Sequence, residues 1–295
     1  MTAITSHSIE LNGEPFHYAR IGSGTPLLLL HGWPEFWLAW KPVMERLTGR
    51  FDLIAPDLRG FGLSGKAFPT PSDQVSPDVH AADMLALAEA LELERFGIVS
   101  HDVGAYVAQT MARQAPERIS GLFFFDCPYP GIGNRWIQPD HVKEIWYQSF
   151  NQLDWATELI GSSREACRAY FGNLIRRWSA NKSAFDSVME DWVENFMSRG
   201  NLQGGFNWYR SANAMRVAMM KGELPPRPPI PLPTCIRWGA EEIVLPVAWA
   251  DKLGETFTNL DFAPMAGVGH FPHMEAPDRA VEEIAGFFGN LRRVG

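Results

Sequence analysis

Short, continuous apolar segments that alternate with helical segments constrain the fold of this chain most. The first four of these apolar segments lie in residues 26–30, 51–60, 96–101 and 119–125. Each ends in a turn, and continuous runs of this length are typical of strands buried on both faces of a parallel sheet. Segments 78–95 and 104–114 show helical periodicity, with Ser76 or Asp78 as the expected N-cap of the first. This alternation predicts right-handed βαβ units and a mostly parallel sheet flanked by helices.

The N-terminal part of the chain departs from this scheme. Residues 4–11 and 15–22 alternate between apolar and polar side chains, and Asn12-Gly13 separates them. An Asn-Gly pair between two alternating segments predicts an antiparallel β-hairpin.

The middle of the chain departs from it as well. Residues from about 134 to 222 are helical in pattern and rich in aromatic side chains, and the proline-rich segment LPPRPPIPLP follows at 224–233. Strands are then expected at 234–238 and 260–265, with helices near 247–256 and 277–292. We therefore predict one α/β core of eight strands, interrupted by an inserted helical cap. The expected boundaries are 1–130 and 228–295 for the core and 131–227 for the cap.

Composition and charge narrow the possible partners. The 295 residues carry a net charge of −8 and no basic run, which argues against nucleic acids and anionic membrane surfaces as partners. No apolar stretch is long enough to span a bilayer, and the N-terminal residues do not resemble a secretory signal. The three cysteines, Cys127, Cys167 and Cys235, show neither a disulfide framework nor a metal-ligand spacing. We expect a cytoplasmic protein.

The turn at 99–105, Val-Ser-His-Asp-Val-Gly-Ala, has the strand–turn–helix context of a nucleophile elbow. Asp102 occupies the central position, Gly104 supplies the small residue behind it, and Ser100 stands where glycine is usual. No serine in the chain has glycine on both sides at the required spacing. A carboxylate is ionised at neutral pH and needs no base to activate it, so Asp102 is the candidate nucleophile.

An ester on Asp102 would require an oxyanion hole and a base for its hydrolysis. The backbone N–H groups of Val103 and of Trp33, in the turn His31-Gly32-Trp33-Pro34, are the expected oxyanion donors. Gly32 is expected to supply an unusual backbone angle in that turn. His270, in a glycine-rich loop after the last strand, is the candidate base. We expect His273 to be structural and His101 to point away from the site.

Two carboxylates compete for the role of orienting the His270 imidazole. Asp126 ends the strand at 119–125, and Glu242 follows the strand at 234–238. Both turns lie at the edge of the sheet where the nucleophile emerges. The sequence slightly favours Asp126 and leaves Glu242 open.

Four segments together resemble the epoxide hydrolase and dehalogenase branch of the α/β-hydrolase fold. They are HGWP at 31–34, DLRGFGLS at 57–64, SHDVGAYVAQ at 100–109 and GHFPHMEAP at 269–277. The resemblance covers nearly the whole chain and implies hydrolysis of an epoxide to a vicinal diol through an ester on the aspartate. Family members place the triad acid at either of the two positions held here by Asp126 and Glu242, and aspartate is usual at the second.

Two cap segments extend the resemblance. IWYQSF at 145–150 and FNWYR at 206–210 are similar to the segments that carry the paired cap tyrosines of soluble epoxide hydrolases. The resemblance thus implies that Tyr147 and Tyr209 donate hydrogen bonds to the epoxide oxygen.

A dehalogenase is the alternative function. Val103 and Tyr106 stand where the dehalogenases carry their tryptophan or arginines, although Trp33, Trp155 or the cap tyrosines could hold a halide. A non-catalytic receptor for small ligands is a third possibility. The cap aromatics favour a small apolar or aromatic substrate, and no cofactor or metal is implied. The sequence leaves the oligomeric state open, a homodimer included.

Overall fold

The computed structural model describes residues 3–66 and 75–294, and its strands form one eight-stranded sheet. The strands are β1 (Thr5–Leu11), β2 (Glu14–Gly22), β3 (Thr25–Leu30), β4 (Phe51–Pro56), β5 (Phe96–His101), β6 (Ile119–Phe125), β7 (Thr234–Gly239) and β8 (Leu260–Met265). Their order in the sheet is β1-β2-β4-β3-β5-β6-β7-β8. β1 and β2 form the predicted antiparallel hairpin around Asn12-Gly13, and β2 pairs antiparallel with β4. The remaining pairs are parallel, which confirms the predicted sheet.

Helices cover both faces of the sheet. They are α1 (Lys41–Leu47), α2 (Pro77–Ala90), α3 (Val103–Gln114), α4 (Trp146–Phe150), α5 (Ala156–Ile160), α6 (Arg164–Trp178), α7 (Met189–Met197), α8 (Asn201–Lys221), α9 (Leu253–Thr256), α10 (Pro272–Glu275) and α11 (Pro277–Val294). Short 3-10 helices cover Trp37–Trp40, Pro116–Arg118, Pro130–Ile137 and Val247–Lys252.

Alternate side chains of the central strands enter two different apolar cores. In β3, Leu28 and Leu30 pack towards α2, α3 and the helices between β6 and β7, whereas Leu27 and Leu29 pack towards α1 and α11. This is why the apolar run at 26–30 is continuous rather than alternating.

Helix α2 ends earlier than the periodicity of residues 78–95 predicts. Glu92 adopts a left-handed backbone with φ 56°, and the N–H of Leu93 donates to the carbonyl of Ala88 at 2.8 Å. These contacts form a Schellman cap, which closes the helix at Ala90 and turns Leu93 into the core. At the other end the Ser76 side chain accepts from the N–H of Val79, as expected for an N-cap.

The segment between β6 and β7 is the predicted helical insertion. It contains α4 to α8 and no strand, and the chain returns to β7 through the proline-rich segment. Within the described residues no helix is both long and apolar enough to cross a bilayer. All three cysteines are buried and unpaired.

The nucleophile turn depends on a close approach between α3 and β3. A Cβ at Gly104 would lie 2.4 Å from the carbonyl oxygen of Leu30 and 2.8 Å from that of His31. Both obstacles are backbone atoms, so they cannot rotate away as a flexible side chain would. Only glycine allows α3 to begin this close to β3.

We therefore predict that Gly104→Ala lowers the free energy of unfolding by about 1–3 kcal/mol, because α3 must move away from β3. Urea unfolding measures this change. Gly286→Ala is the matched control, since this exposed position in α11 has open space for a Cβ and the substitution should stabilise the helix by about 0.5–1 kcal/mol. A Gly104→Ala protein as stable as the wild type would contradict the close approach.

Candidate active site

Asp102 lies at the tip of a sharp turn between β5 and α3. Its backbone has φ 46° and ψ −112°, a left-handed conformation that is strained for any residue with a Cβ. Such strain costs about 1–3 kcal/mol and persists only where the surrounding structure enforces it. The turn projects the partly buried Asp102 side chain beyond the carboxyl edge of the sheet. This is the geometry of a nucleophile elbow.

The turn after β3 presents a backbone donor to the Asp102 carboxylate. The N–H of Trp33 donates to Asp102 Oδ1 at 3.0 Å. Gly32 does not adopt the unusual backbone angle expected from the sequence. Instead, a Cβ there would lie 2.7 Å from the Cβ of Asp102, so glycine is needed for close approach. Val103 begins α3, and its N–H belongs to the first turn, where helical N–H groups have no carbonyl partner within the helix.

His270 is buried beside the elbow, and its imidazole contacts Glu242. Glu242 Oε2 is hydrogen-bonded to Nδ1 of His270, and Oε1 accepts from the N–H of Val244. The backbone N–H of His270 donates to the carbonyl of Trp178 at 3.0 Å, which ties the loop to the end of α6. Of the two candidate triad acids, Glu242 is therefore the one in contact with the imidazole.

The charges of this cluster shift the pKa of both His270 and Glu242. Burial disfavours the imidazolium of His270, but the Glu242 carboxylate and the charge of Asp102 raise its pKa to about 10. Burial would likewise raise the pKa of Glu242, yet the neighbouring His270 lowers it. The pair is thus an imidazolium and a carboxylate at neutral pH.

Asp126, which the sequence slightly favoured as triad acid, makes a different contact. Its Oδ1 accepts from the N–H of Gly239 at 2.8 Å, and its buried Oδ2 has no partner among the described residues. Burial and the adjacent Glu242 raise its pKa well above the usual range, so the carboxyl is neutral. Asp126 therefore lies near His270 as an uncharged neighbour.

The two cap tyrosines meet at Trp33, in the turn after β3. The ring of Tyr147, in α4, stacks on Trp33 at 5.2 Å, and the ring of Tyr209, in α8, meets the same indole edge-on at 5.2 Å. The two phenol rings are 5.7 Å apart and perpendicular. Burial raises the pKa of both hydroxyls, and the charge of Asp102 adds to the effect. Both phenols are therefore neutral donors close to Asp102.

The tryptophans considered as halide ligands differ in position. The indole N–H of Trp33 is buried and has no partner among the described residues. Trp155 is 52% exposed and packs against Phe150 at the surface of the cap, so it is not part of this site.

Sequence reasoning missed one buried carboxylate behind the site. Glu35 is fully buried and contacts Gly32, His101 and His273. The His101 ring contacts Glu35 and the carbonyl of His270, and the His273 ring contacts Glu35. The sequence did contain a signal for Glu35, because this charged residue directly follows HGWP, in a turn that the fold must bury.

Two buried sets of side chains have the ligand types of a metal site among the described residues. They are Glu35, His101, His273, and His101, Asp126, His270. In the first set the imidazole nitrogens that face Glu35 are hydrogen-bonded to it at 2.7–2.8 Å. In the second, His101 Nε2 is engaged by the carbonyl of His270. These nitrogens are therefore engaged in hydrogen bonds within the protein.

A cavity of about 410 Å³ lies away from the nucleophile, between α3 and α8. Its walls include Tyr106 and Arg113 of α3 and Met215 and Met219 of α8. Neither Asp102 nor His270 lines it, so the candidate chemistry does not take place there.

We predict that Glu242→Gln lowers the pKa of His270 from about 10, because burial then acts without the opposing carboxylate. The folded-state pKa of His270 exceeds the ordinary value of 6.5, and that of Glu242 is below its ordinary value of 4.5. The stability that the pair contributes is therefore full between about pH 4.5 and 6.5, is lost as pH rises through about 10, and is lost in acid when Glu242 is protonated. Histidine NMR titration measures the pKa. Asp126→Asn, which removes an already neutral carboxyl, is the control and should change it little. The same midpoint for His270 in wild type and Glu242→Gln would contradict this account.

Comparison with known proteins identifies the family of this chain. Residues 25–277 match the model of the alpha/beta hydrolase fold. The chain is 30% identical over 302 residues to a soluble epoxide hydrolase from Corynebacterium sp. (strain C12), which covers 99% of both proteins. A fluoroacetate dehalogenase from Burkholderia sp. is 25% identical over 280 residues, covering 92% of this chain and 89% of the relative.

Solved structures agree with this placement. The structure of the epoxide hydrolase CorEH without ligand superimposes with a TM-score of 0.84 at 26% identity, covering 98% of this chain and all of that one. The chain therefore belongs to the α/β-hydrolase family, in the branch that contains epoxide hydrolases and fluoroacetate dehalogenases.

Proposed function

We propose that this protein hydrolyses epoxides to vicinal diols, with Asp102 as the nucleophile. The observation that carries the proposal is that four groups from separate segments lie together: the Asp102 carboxylate on its strained turn, the Trp33 N–H that donates to it, the His270–Glu242 pair and two neutral phenols. The charge of Asp102 raises the pKa of His270 and of both phenols, which puts all of them within its reach.

In the first step a carboxylate oxygen of Asp102 attacks an epoxide carbon, and the carbon–oxygen bond of the ring breaks. The electron pair moves to the epoxide oxygen, which receives a hydrogen bond and then a proton from Tyr147 or Tyr209. Burial raises the pKa of both phenols, so they are protonated before attack and can donate. The phenolate regains its proton, ultimately from the His270 imidazolium.

The same step prepares His270 for its second role. The charge of Asp102 helps to raise the pKa of His270, and esterification removes that charge. Since Glu242 still orients the ring, neutral His270 can accept a proton from water, whose oxygen attacks the carboxyl carbon of Asp102. The N–H groups of Trp33 and Val103 stabilise the oxyanion, and its collapse restores the Asp102 carboxylate and releases the diol.

The substrate class follows from the surroundings of the phenols. Trp33, Tyr147, Tyr209, Phe171 and Trp178 form a buried aromatic cluster beside Asp102. These aromatic side chains favour a small apolar or aromatic epoxide.

A dehalogenase is the second candidate, and one observation favours it. The buried indole N–H of Trp33 lacks a partner among the described residues, and such a donor could hold a departing halide. Asp102 would then displace the halide and form the same kind of ester.

We predict that His270→Gln accumulates an ester on Asp102 when it is exposed to an epoxide that the wild type hydrolyses. Attack does not need His270 as a base, whereas hydrolysis does. Intact-mass spectrometry should show one added substrate mass, located by peptide mapping at Asp102. The double variant Asp102→Ala, His270→Gln is the control and should remain unmodified. An unmodified His270→Gln protein would contradict the mechanism.

Haloacetates and haloalkanes are tested in parallel, with halide release as the readout. Tyr209→Phe should slow epoxide turnover by about 100-fold or more, because a donor to the epoxide oxygen is lost, and should affect halide release little. Halide release without diol formation would select the dehalogenase. Neither product, and no ester in His270→Gln, would select a non-catalytic receptor.

A further inference from the structure

The loop that carries His270 lies against the end of the cap helix α6. We call residues 266–271, between β8 and α10, the base loop, and residues 178–181 the cap junction. The N–H of His270 donates to the carbonyl of Trp178 at 3.0 Å. A Cβ at Gly269 would lie 2.3 Å from the same carbonyl oxygen. Glycine therefore allows the two main chains to come into contact.

The Glu275 side chain ties these two segments together. Its Oε2 accepts from the N–H groups of Ala180 at 2.7 Å and Asn181 at 2.9 Å, in the cap junction. The same oxygen accepts from the N–H of Gly269 at 3.1 Å, and Oε1 accepts from that of Phe271 at 3.0 Å, in the base loop. All four N–H groups lie outside the helices and strands. Glu275 thus supplies acceptors that the main chain does not provide there.

The Trp178 side chain extends the cap junction into the candidate active site. Its ring meets that of His270 edge-on at 5.4 Å and lies 4.7 Å from that of Tyr147. It also lies 5.9 Å from the ring of Trp33, in the turn after β3. These four side chains are buried. A displacement of the cap junction would therefore shift the base and a cap phenol, because closely packed rings cannot move independently.

We propose that Glu275 couples the cap to the base loop and thereby positions His270 for hydrolysis of the ester on Asp102. Glu275 is a positioning residue, since it acts through Gly269 and Phe271, the neighbours of His270 in the chain. The effect on turnover rests on the proposed function, whereas the tie between cap and loop does not.

The two steps of the proposed reaction should depend on Glu275 differently. Attack by Asp102 on an epoxide needs no base, whereas hydrolysis of the ester needs the His270 imidazole aligned with a water molecule. A displacement of about 1 Å can cost a catalytic group about 100-fold in rate. Loss of the tie should therefore slow ester hydrolysis and spare ester formation.

Rapid-quench mass spectrometry of Glu275→Gln measures both steps, with an epoxide that the wild type hydrolyses. The substitution keeps the size of the side chain but replaces one acceptor oxygen with an NH₂ group, which cannot accept. Hydrolysis of the ester on Asp102 should slow by about 10- to 100-fold, with ester formation near wild type. Because kcat/KM reports only the steps up to an irreversible ester, kcat and KM should fall together and kcat/KM should change little.

Glu144→Gln is the matched control. The Glu144 carboxylate accepts from the Arg177 guanidinium at 2.7 and 2.9 Å beside the same end of α6, and within the described residues no hydrogen bond joins its side chain to the base loop. Both steps should stay near wild type. A folded Glu275→Gln protein with a wild-type rate of ester hydrolysis, or with an equal loss in both steps, would overturn the positioning role.

Amide hydrogen exchange measured by NMR tests the tie itself and needs no substrate. In the wild type the N–H groups of Ala180, Gly269 and Phe271 should exchange far more slowly than in an unstructured peptide, although they lie in loops. Their exchange should become faster in Glu275→Gln and not in Glu144→Gln. Fast exchange in the wild type would overturn the tie. A wild-type protein that forms neither ester nor diol would instead refute the proposed function, while the exchange rates still decide whether Glu275 joins cap and loop.

Discussion

The strained backbone of Asp102 is the constraint on which the rest of the site depends. A φ of 46° at a residue with a Cβ is held by α3 pressing against β3 at Gly104 and by the turn after β3 pressing against the elbow at Gly32. Both approaches require glycine. Together they place the Asp102 carboxylate against the Trp33 N–H, so the same packing that strains the proposed nucleophile also supplies its proposed oxyanion donor.

The charge states of the buried groups around the elbow depend on one another. Glu242 keeps His270 protonated in the resting protein, and the charge of Asp102 contributes to the same effect. Asp126, although close, is neutral and anchors Gly239 instead. In the proposed cycle, loss of the Asp102 charge is the event that converts the imidazolium into a base.

Most of the fold could be predicted from the sequence because its periodicities are strong. The continuous run of Leu27–Leu30 and the alternation around Asn12-Gly13 identified the sheet and its hairpin. The end of α2 could not be predicted, since the left-handed cap at Glu92 depends on burial of Leu93. For the site, the choice between Asp126 and Glu242 required side-chain directions that two turns at one sheet edge do not specify. Glu35 escaped notice because its partners are brought together only by the tertiary structure.

Oxygen transfer in a single turnover tests the central claim, that the Asp102 carboxylate itself attacks the substrate. The wild-type protein, in excess over an epoxide, is allowed to react in water enriched in ¹⁸O. A covalent ester predicts a diol with no label from water and ¹⁸O in the peptide that contains Asp102. A labelled diol together with an unlabelled Asp102 peptide would mean that water attacks the epoxide directly, and it would contradict the account.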